Sequence, residues 1–165
     1  LRAAITGHMV LSTLHTNDAI GTPIRLLDMD VPRYMVAMSL QMVIAQRLLR
    51  VNCANCAEPY VPAGPELAWL RAETRPGDPE AAFRKGKGCS HCGGMGYRGR
   101  TGVFEMLEMT SRCAEAANHE DPASFIRVAR EQMAGETLRR SAALLVMQGR
   151  TTAEEAMRVG NELEA

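Results

Sequence analysis

Two Cys-x-x-Cys pairs, Cys53/Cys56 and Cys89/Cys92, stand with 32 residues between them. A two-residue gap lets both thiolates of a pair face one ion, and four thiolates complete a tetrahedron around Zn²⁺. The first pair lies in Val51-Asn52-Cys53-Ala54-Asn55-Cys56, the second in the glycine-rich Gly86-Lys87-Gly88-Cys89-Ser90-His91-Cys92-Gly93-Gly94. Glycine supplies the left-handed backbone angles that such knuckles use. The pattern predicts a closed, structural zinc site, because four thiolates leave no open position for catalysis. A redox dithiol is the rival, but it needs one pair at a strand–helix junction with an activated thiolate, which two glycine-rich pairs fit poorly. His91, between two ligands, has the chemistry to replace one of them; an exposed knuckle residue is the simpler reading. Cys113, alone on an expected helix, reads as a packing cysteine.

His8 and His15 bracket the apolar run Met9-Val10-Leu11-Ser12-Thr13-Leu14. Seven residues apart in one strand, they would face opposite ways, so His8 precedes the strand and His15 follows it. His15 then sits at the carboxyl end of a parallel strand, just before a helix N-terminus. Ligands of open α/β sheets bind there, and helix N-termini favour phosphate. Satisfied core or cap histidines are equally compatible with these residues. His119 reads as a surface loop residue. Arg84, Lys85, Lys87, Arg98 and Arg100 gather positive charge around the second knuckle. A free-standing zinc ribbon binding nucleic acid or protein is therefore the alternative function. Only Tyr97 and Phe104 offer stacking nearby, so a solvated basic edge or a contact to a partner subunit or nucleotide fits better.

The elements that must hold these groups follow from periodicity and punctuation. Met9–Leu14 has the near-continuous apolar pattern of a parallel strand buried on both faces. Thr16 or Asn17 caps a helix to about Asp28, with Ile20, Ile24 and Leu27 on one face. Pro32 opens a second, deeply buried helix from Tyr34 to about Ala45, and Leu48–Val51 forms a short strand into the first knuckle. Pro59, Pro62 and Pro65 mark irregular backbone, with one short helix over Glu66–Glu73. Thr101–Leu107 reads as a strand. Helices follow at Ser111–Asn118, from Asp121-Pro122 to near Gly135, from Thr137 to Gln148, and from the capping box Thr152-x-x-Glu155 toward Val159.

At 165 residues, 46% of them apolar, the chain has the material for a sizeable core. Nineteen basic and nineteen acidic residues balance, so no global field points to nucleic acid or anionic lipid. Five cysteines, one unpaired by spacing, argue against a secreted disulfide framework. There is no signal-peptide pattern, and no apolar run approaches the roughly 18 residues of a membrane span. A soluble, cytoplasmic protein is expected. The start at Leu1, inside what reads as a folded element, predicts a piece of a longer protein.

Together these residues resemble the type II secretion and type IV pilus assembly ATPase family. Thr6-Gly7-His8 through His15-Thr16-Asn17 resembles its His box. Ala45-Gln46-Arg47-Leu48 resembles the entry to its zinc module, and Gly88-Cys89-x-x-Cys92 through Gly96-Tyr97-Arg98-Gly99-Arg100-x-Gly102-Val103-Phe104-Glu105 the exit. Gly149-Arg150-Thr151-Thr152-x-Glu154-Glu155 resembles its C-terminal helices. The tetracysteine module points to the extension branch (PilB, GspE or MSHA-type), because retraction ATPases generally lack it. The resemblance implies an α/β fold: the C-terminal part of a RecA-like P-loop ATPase core with a parallel sheet (1–52), a zinc module (53–100) and a helical subdomain (101–165). It implies a hexameric ring hydrolysing ATP with Mg²⁺, with His8 and His15 by the nucleotide phosphates or the subunit interface. Partners would be an inner-membrane platform protein and a recruiting membrane protein, giving a cytoplasmic protein held peripherally at the inner membrane. Nucleic acid would not be a partner. No Gly-x-x-x-x-Gly-Lys-Ser/Thr loop and no acidic Walker B strand occur in these residues. Both precede the His box in the family, so they are expected upstream of Leu1, and these 165 residues alone are expected to be inactive.

Overall fold

A computed structural model of the chain describes residues 1–161. In chain order the elements are α1 (Arg2–Ile5), α2 (Gly21–Asp28), α3 (Arg33–Ser39), β1 (Met42–Asn52), β2 (Ala57–Pro59), α4 (Gly64–Glu73), β3 (Arg84–Gly86), a 3-10 turn (Ser90–Cys92), β4 (Tyr97–Glu108), α5 (Ser111–Asn118), α6 (Pro122–Met133), α7 (Leu138–Met147) and α8 (Ala153–Asn161). The result is a mixed α/β fold with small sheets. β1 pairs with β4, and β2 with β3. Gln41 accepts from the Met109 N–H, while Cys53 donates to Gly96, so numbering rises along β1 as it falls along β4 and the pair is antiparallel. The chain forms two compact units: Leu1–Ala45 with Glu105–Glu136, and Gln46–Phe104 with the chain from Thr137 onward.

In the first unit α3 packs on α5, and α5 on α6. Val36, Leu107, Cys113, Ala117, Phe125, Val128 and Ala129 are buried there. Burying a side chain such as Phe125 contributes about 1.5–3 kcal/mol. Local chemistry sets the helix ends. Thr110 Oγ1 accepts from the Cys113 N–H, and Asp121 accepts from Ala123 N–H with Pro122 at the first helical position. Gln132 ties α6 back to the entry of α5: its Nε2 donates to Glu108 O, and its Oε1 accepts from Thr110 Oγ1 and Cys113 Sγ.

In the second unit β2 and β3 form an antiparallel ribbon in the register Ala57↔Gly86, Glu58↔Lys85 and Pro59↔Arg84. α7 packs on α8, and α4 on both. Asn52 is the seam between these parts. Its Nδ2 donates to Arg84 O (2.7 Å) and Gly149 O (3.0 Å), and its backbone N–H to Arg150 O (2.8 Å). Arg140 holds Asp78 through two hydrogen bonds of 2.9 and 2.7 Å, both side chains being largely buried. Arg50 lies over the Tyr97 ring and binds Glu155, whose other oxygen accepts from Arg50 N–H. Thr152 Oγ1 accepts from Glu155 N–H, the capping interaction expected from the sequence.

Three expectations change. The helix expected from a Thr16 or Asn17 cap begins only at Gly21, after a turn in which Asp18 Oδ1 accepts Gly21 N–H, and it buries Thr22, Pro23 and Leu26. The run Met9–Leu14 has no strand hydrogen bonds, and its side chains are outward, with Met9 90% and Leu11 87% exposed. A parallel strand exists only against neighbours, and among the described residues no strand pairs with this run. The sheets that do form are antiparallel. The third change is the deeply buried helix read through to Ala45, which ends at Ser39, with Leu40 already extended, and buries Val36 and Ser39 while Tyr34 and Met38 are exposed. From Met42 the burial alternates, exposed Met42 and Ile44 against buried Val43 and Ala45, so a period of two overrides the helical one. The helices expected after residue 110 form within a residue or two of their predicted bounds.

Candidate metal centre

The four cysteines converge. The ligand-capable sulfurs of Cys53, Cys56, Cys89 and Cys92 all lie within 4.8 Å of one another and could hold a metal ion. Cys53 and Cys89 are 4.0 Å apart, Cys56 and Cys92 3.9 Å, Cys89 and Cys92 3.8 Å. A tetrahedron with metal–sulfur bonds of about 2.3 Å has edges of about 3.8 Å, so these spacings suit a tetrathiolate site. Cys53, Cys56 and Cys92 are buried, and Cys89 is partly so.

Backbone turns aim the sulfurs. After Cys53 its carbonyl accepts from Cys56 and Ala57 N–H groups; after Cys89 its carbonyl accepts from Cys92 and Gly94. These matched turns are the knuckles read from the sequence. Cys92 Sγ also accepts N–H groups from Cys89 (3.3 Å) and Gly96 (3.2 Å). Those donors, Cys89 first, draw the Cys92 thiol down to about 6 against the effect of its burial. Burial raises the Cys89 thiol, yet the N–H groups of Cys92 and His91 outweigh it and leave that thiol below its ordinary value. Cys56 goes the other way: burial pushes it up to about 12. Cys89 and Cys92 are thus placed to favour thiolate, and a nearby cation is what would bring Cys56 to the same state.

Glycine is required where the ribbon and the exit of the knuckle touch. A Cβ on Gly86 would lie 2.0 Å from Gly96 O, and one on Gly96 2.4 Å from Gly86 O. The chain leaves the module where it entered, with Cys53 N–H donating to Gly96 O at 2.9 Å.

His91 is exposed, contacts Arg98 Nη1 through its ring and lies outside the four-sulfur set. Cys113 is fully buried and donates to Gln132 Oε1, as a packing cysteine would. Of the basic cluster, Lys87 pairs with Glu58, Lys85 with Glu154, and Arg84 donates to Ala57 O. His8 and His15 are both exposed in the segment between α1 and α2. His8 Nδ1 is 3.2 Å from Thr6 Oγ1 and 3.3 Å from Ala3 O. His15 precedes a tightly tied turn, in which Thr16 Oγ1 meets Thr22 Oγ1 at 2.9 Å and Asp18 Oδ1 accepts Gly21 N–H at 2.6 Å. Sequence reading gave Glu105 no role beyond the exit motif and the strand in which that motif ends; Glu105 is 6% exposed on β4 and accepts Ala19 N–H at 2.6 Å. Its signal was available: an acidic residue occupies the inward period-two position between Val103 and Leu107.

Comparison with known proteins reaches nearly the whole chain. The family model described as Type II/IV secretion system protein matches residues 1–158. Type II secretion system protein E of Pseudomonas aeruginosa is 39% identical over 163 residues, which are 98% of this chain and 32% of that protein. Type IV pilus assembly ATPase PilB of Acinetobacter baylyi is 38% identical over 165 residues, 98% of this chain and 28% of the relative. Type II secretion system ATPase E of Vibrio cholerae is 37% identical over 166 residues, 98% of this chain and 31% of the relative. The chain therefore spans about a third of the length of these relatives.

Proposed function

The chain belongs to the type II/IV secretion system protein family, and on that membership we propose that it is the C-terminal part of an ATPase powering type II secretion or type IV pilus assembly. The observation that carries this reading is near-complete alignment, at 37–39% identity, with relatives whose names include secretion and pilus ATPases. The full-length protein acts as a hexameric ring on the cytoplasmic side of the inner membrane, docked on a platform protein and a recruiting membrane protein. Consistent with peripheral attachment, no helix among the described residues is long and apolar enough to cross a membrane.

In this reading Cys53, Cys56, Cys89 and Cys92 hold a structural Zn²⁺. Bound there, the ion supplies charge neutralisation and a cross-link, and its four sulfur ligands leave no open position. ATP and Mg²⁺ bind through the phosphate loop of the longer chain, with His8 and His15 facing the nucleotide phosphates or the subunit interface. Residues 9–14 become a strand of a RecA-like sheet when the rest of the core is present. An apolar groove of about 410 Å³, lined by Val10, Leu11, Leu14, Met42, Val43 and Ile44 among others, supports that reading: it runs beside the exposed segment.

The test uses the full-length protein and the 165-residue chain side by side. Full-length protein is expected to turn over ATP with Mg²⁺ and to restore secretion or piliation to a strain lacking it; the short chain is expected to do neither. Turnover by the short chain, or none by the full-length protein, overturns the assignment. Metal analysis should find one zinc per chain, and a metal-free protein with four titratable thiols at this site overturns the zinc.

A further inference from the structure

The turn after His15 is held at three points. Thr16 and Thr22 share a hydroxyl–hydroxyl bond, Asp18 receives Gly21 N–H, and Glu105 receives Ala19 N–H from 86 residues away. The first two ties are local and come with the turn itself. Gly21 allows the Asp18 tie, since a Cβ there would lie 2.9 Å from Asp18 Oδ1. The third tie is different in kind.

Glu105 occupies a position that apolar packing alone would fill. Along β4 the inward residues are Val103, Glu105 and Leu107, the two neighbours fully buried. Burying a carboxylate is unfavourable unless hydrogen bonds replace its water. Ala19, its partner, is itself fully buried, so the bond of 2.6 Å is shielded from solvent. A charge-assisted bond to a backbone N–H is among the stronger neutral-donor contacts, and it fixes backbone rather than a rotatable side chain. Local rule-breaking of this sort, a charge in a core row, marks places where function outweighs packing.

We propose that Glu105 is a positioning residue: its buried carboxylate pins Ala19 and so fixes the direction in which His15, Thr16 and Asn17 leave the turn. Glu105 does not itself meet the nucleotide. It sets where His15 points, and this rests on the reading that His15 faces the nucleotide site of the full-length ATPase. Two features of the bond can be varied separately: the reach of the acceptor to Ala19 N–H, which Glu105→Gln keeps and Glu105→Asp shortens, and its charge, which Glu105→Asp keeps and Glu105→Gln removes.

That separation gives the test in the full-length protein. Glu105→Gln keeps the length and a carbonyl acceptor, and is expected to retain ATP turnover within about threefold. Glu105→Asp keeps the charge but shortens the reach by one methylene; kcat should fall on the order of tenfold or more, with KM for ATP little changed, as misplacement of a positioned group does. A role in stability or charge alone predicts the reverse order, Asp better than Gln, and that order overturns the proposal. His15→Ala combined with Glu105→Asp should be no slower than His15→Ala alone, because both changes remove one contribution. Multiplying losses overturn it. If His15→Ala turns over ATP at the normal rate, the reading of His15 fails, while the tether is still judged by amide hydrogen exchange. Exchange at Ala19 and its neighbours should accelerate in Glu105→Asp and not in Glu105→Gln, and unchanged exchange in both overturns the tether.

Discussion

The four sulfurs carry the most direct residue-scale consequences. Cys53→Ser or Cys89→Ser removes one sulfur from a set, proposed to hold zinc, whose members lie within 4.8 Å of each other. Structural zinc contributes on the order of 10 kcal/mol to folding in small modules, far more than a ribbon of three-residue strands supplies. Either substitution should abolish metal content, unfold residues 53–100 locally and stop the transport proposed for the full-length protein, as read by metal analysis and complementation. A second residue-scale prediction concerns acid. Arg140 holds the Asp78 carboxyl below its ordinary value, first through its hydrogen bonds, with Arg75 N–H assisting. The folded pKa is lower than the unfolded one, so the pair's contribution is fully present above about pH 4 and disappears as pH falls through the folded value. The gap in melting temperature between wild type and Asp78→Asn should accordingly be wide near pH 7 and close at the acid end. A gap independent of pH refutes this assignment. The cysteines were legible in the sequence because their spacing is a geometric constraint on ligands. Arg140 and Asp78 were not, because 62 residues separate them and each alone resembles a surface charge.

At the scale of elements, the glycines of the module are explained by approach rather than by flexibility. The β2–β3 ribbon and the exit of the second knuckle are in backbone contact, and a Cβ on Gly86 would sit 2.0 Å from Gly96 O. Gly86→Ala should cost about 1–3 kcal/mol of local stability and weaken metal retention under chelator competition. Metal retention equal to wild type refutes it. The C-terminal helices were readable because each starts or stops on a residue with a definite role: Thr110, Asp121 with Pro122, Thr137 and Thr152. β1 was only partly readable. Its apolar stretch satisfies both helical and strand patterns, and the extended geometry of Leu40 with the pairing to β4 decides between them. Met9–Leu14 shows the opposite failure. Composition describes a strand correctly only where another strand is there to complete it, and hydrogen-bond partners are not written in the run itself.

For the molecule as a whole, two compact units assembled from alternating stretches of chain predict an uneven response to metal removal. A strong chelator should raise hydrogen exchange through β2, β3 and the two knuckles. It should leave α5 and α6, packed around Cys113 and Phe125 with no sulfur ligand among them, near their original protection. Uniform loss of protection refutes that division. The family assignment belongs to this scale too, since it rests on residues 1–158 aligning as one piece and on no single motif.

One rung of backbone has a consequence for length. Because Cys53 and Gly96 are joined by a hydrogen bond of 2.9 Å, the chain between them is a loop closed at its base by β1 and β4 and tied to α7 and α8 through α4 and Asp78. Where a stretch of that loop carries none of these ties, added length costs only closure entropy, and each doubling of a closed loop adds only about 0.6 kcal/mol. Insertions and deletions in the exposed stretch 79–81, between Asp78 and the Ala82 N–H bond to Met147 O, are therefore cheap, whereas one residue added within β1 or β4 turns a whole row of side chains to the wrong face. Length differences among related chains should collect in that exposed stretch and leave β1 and β4 at constant length.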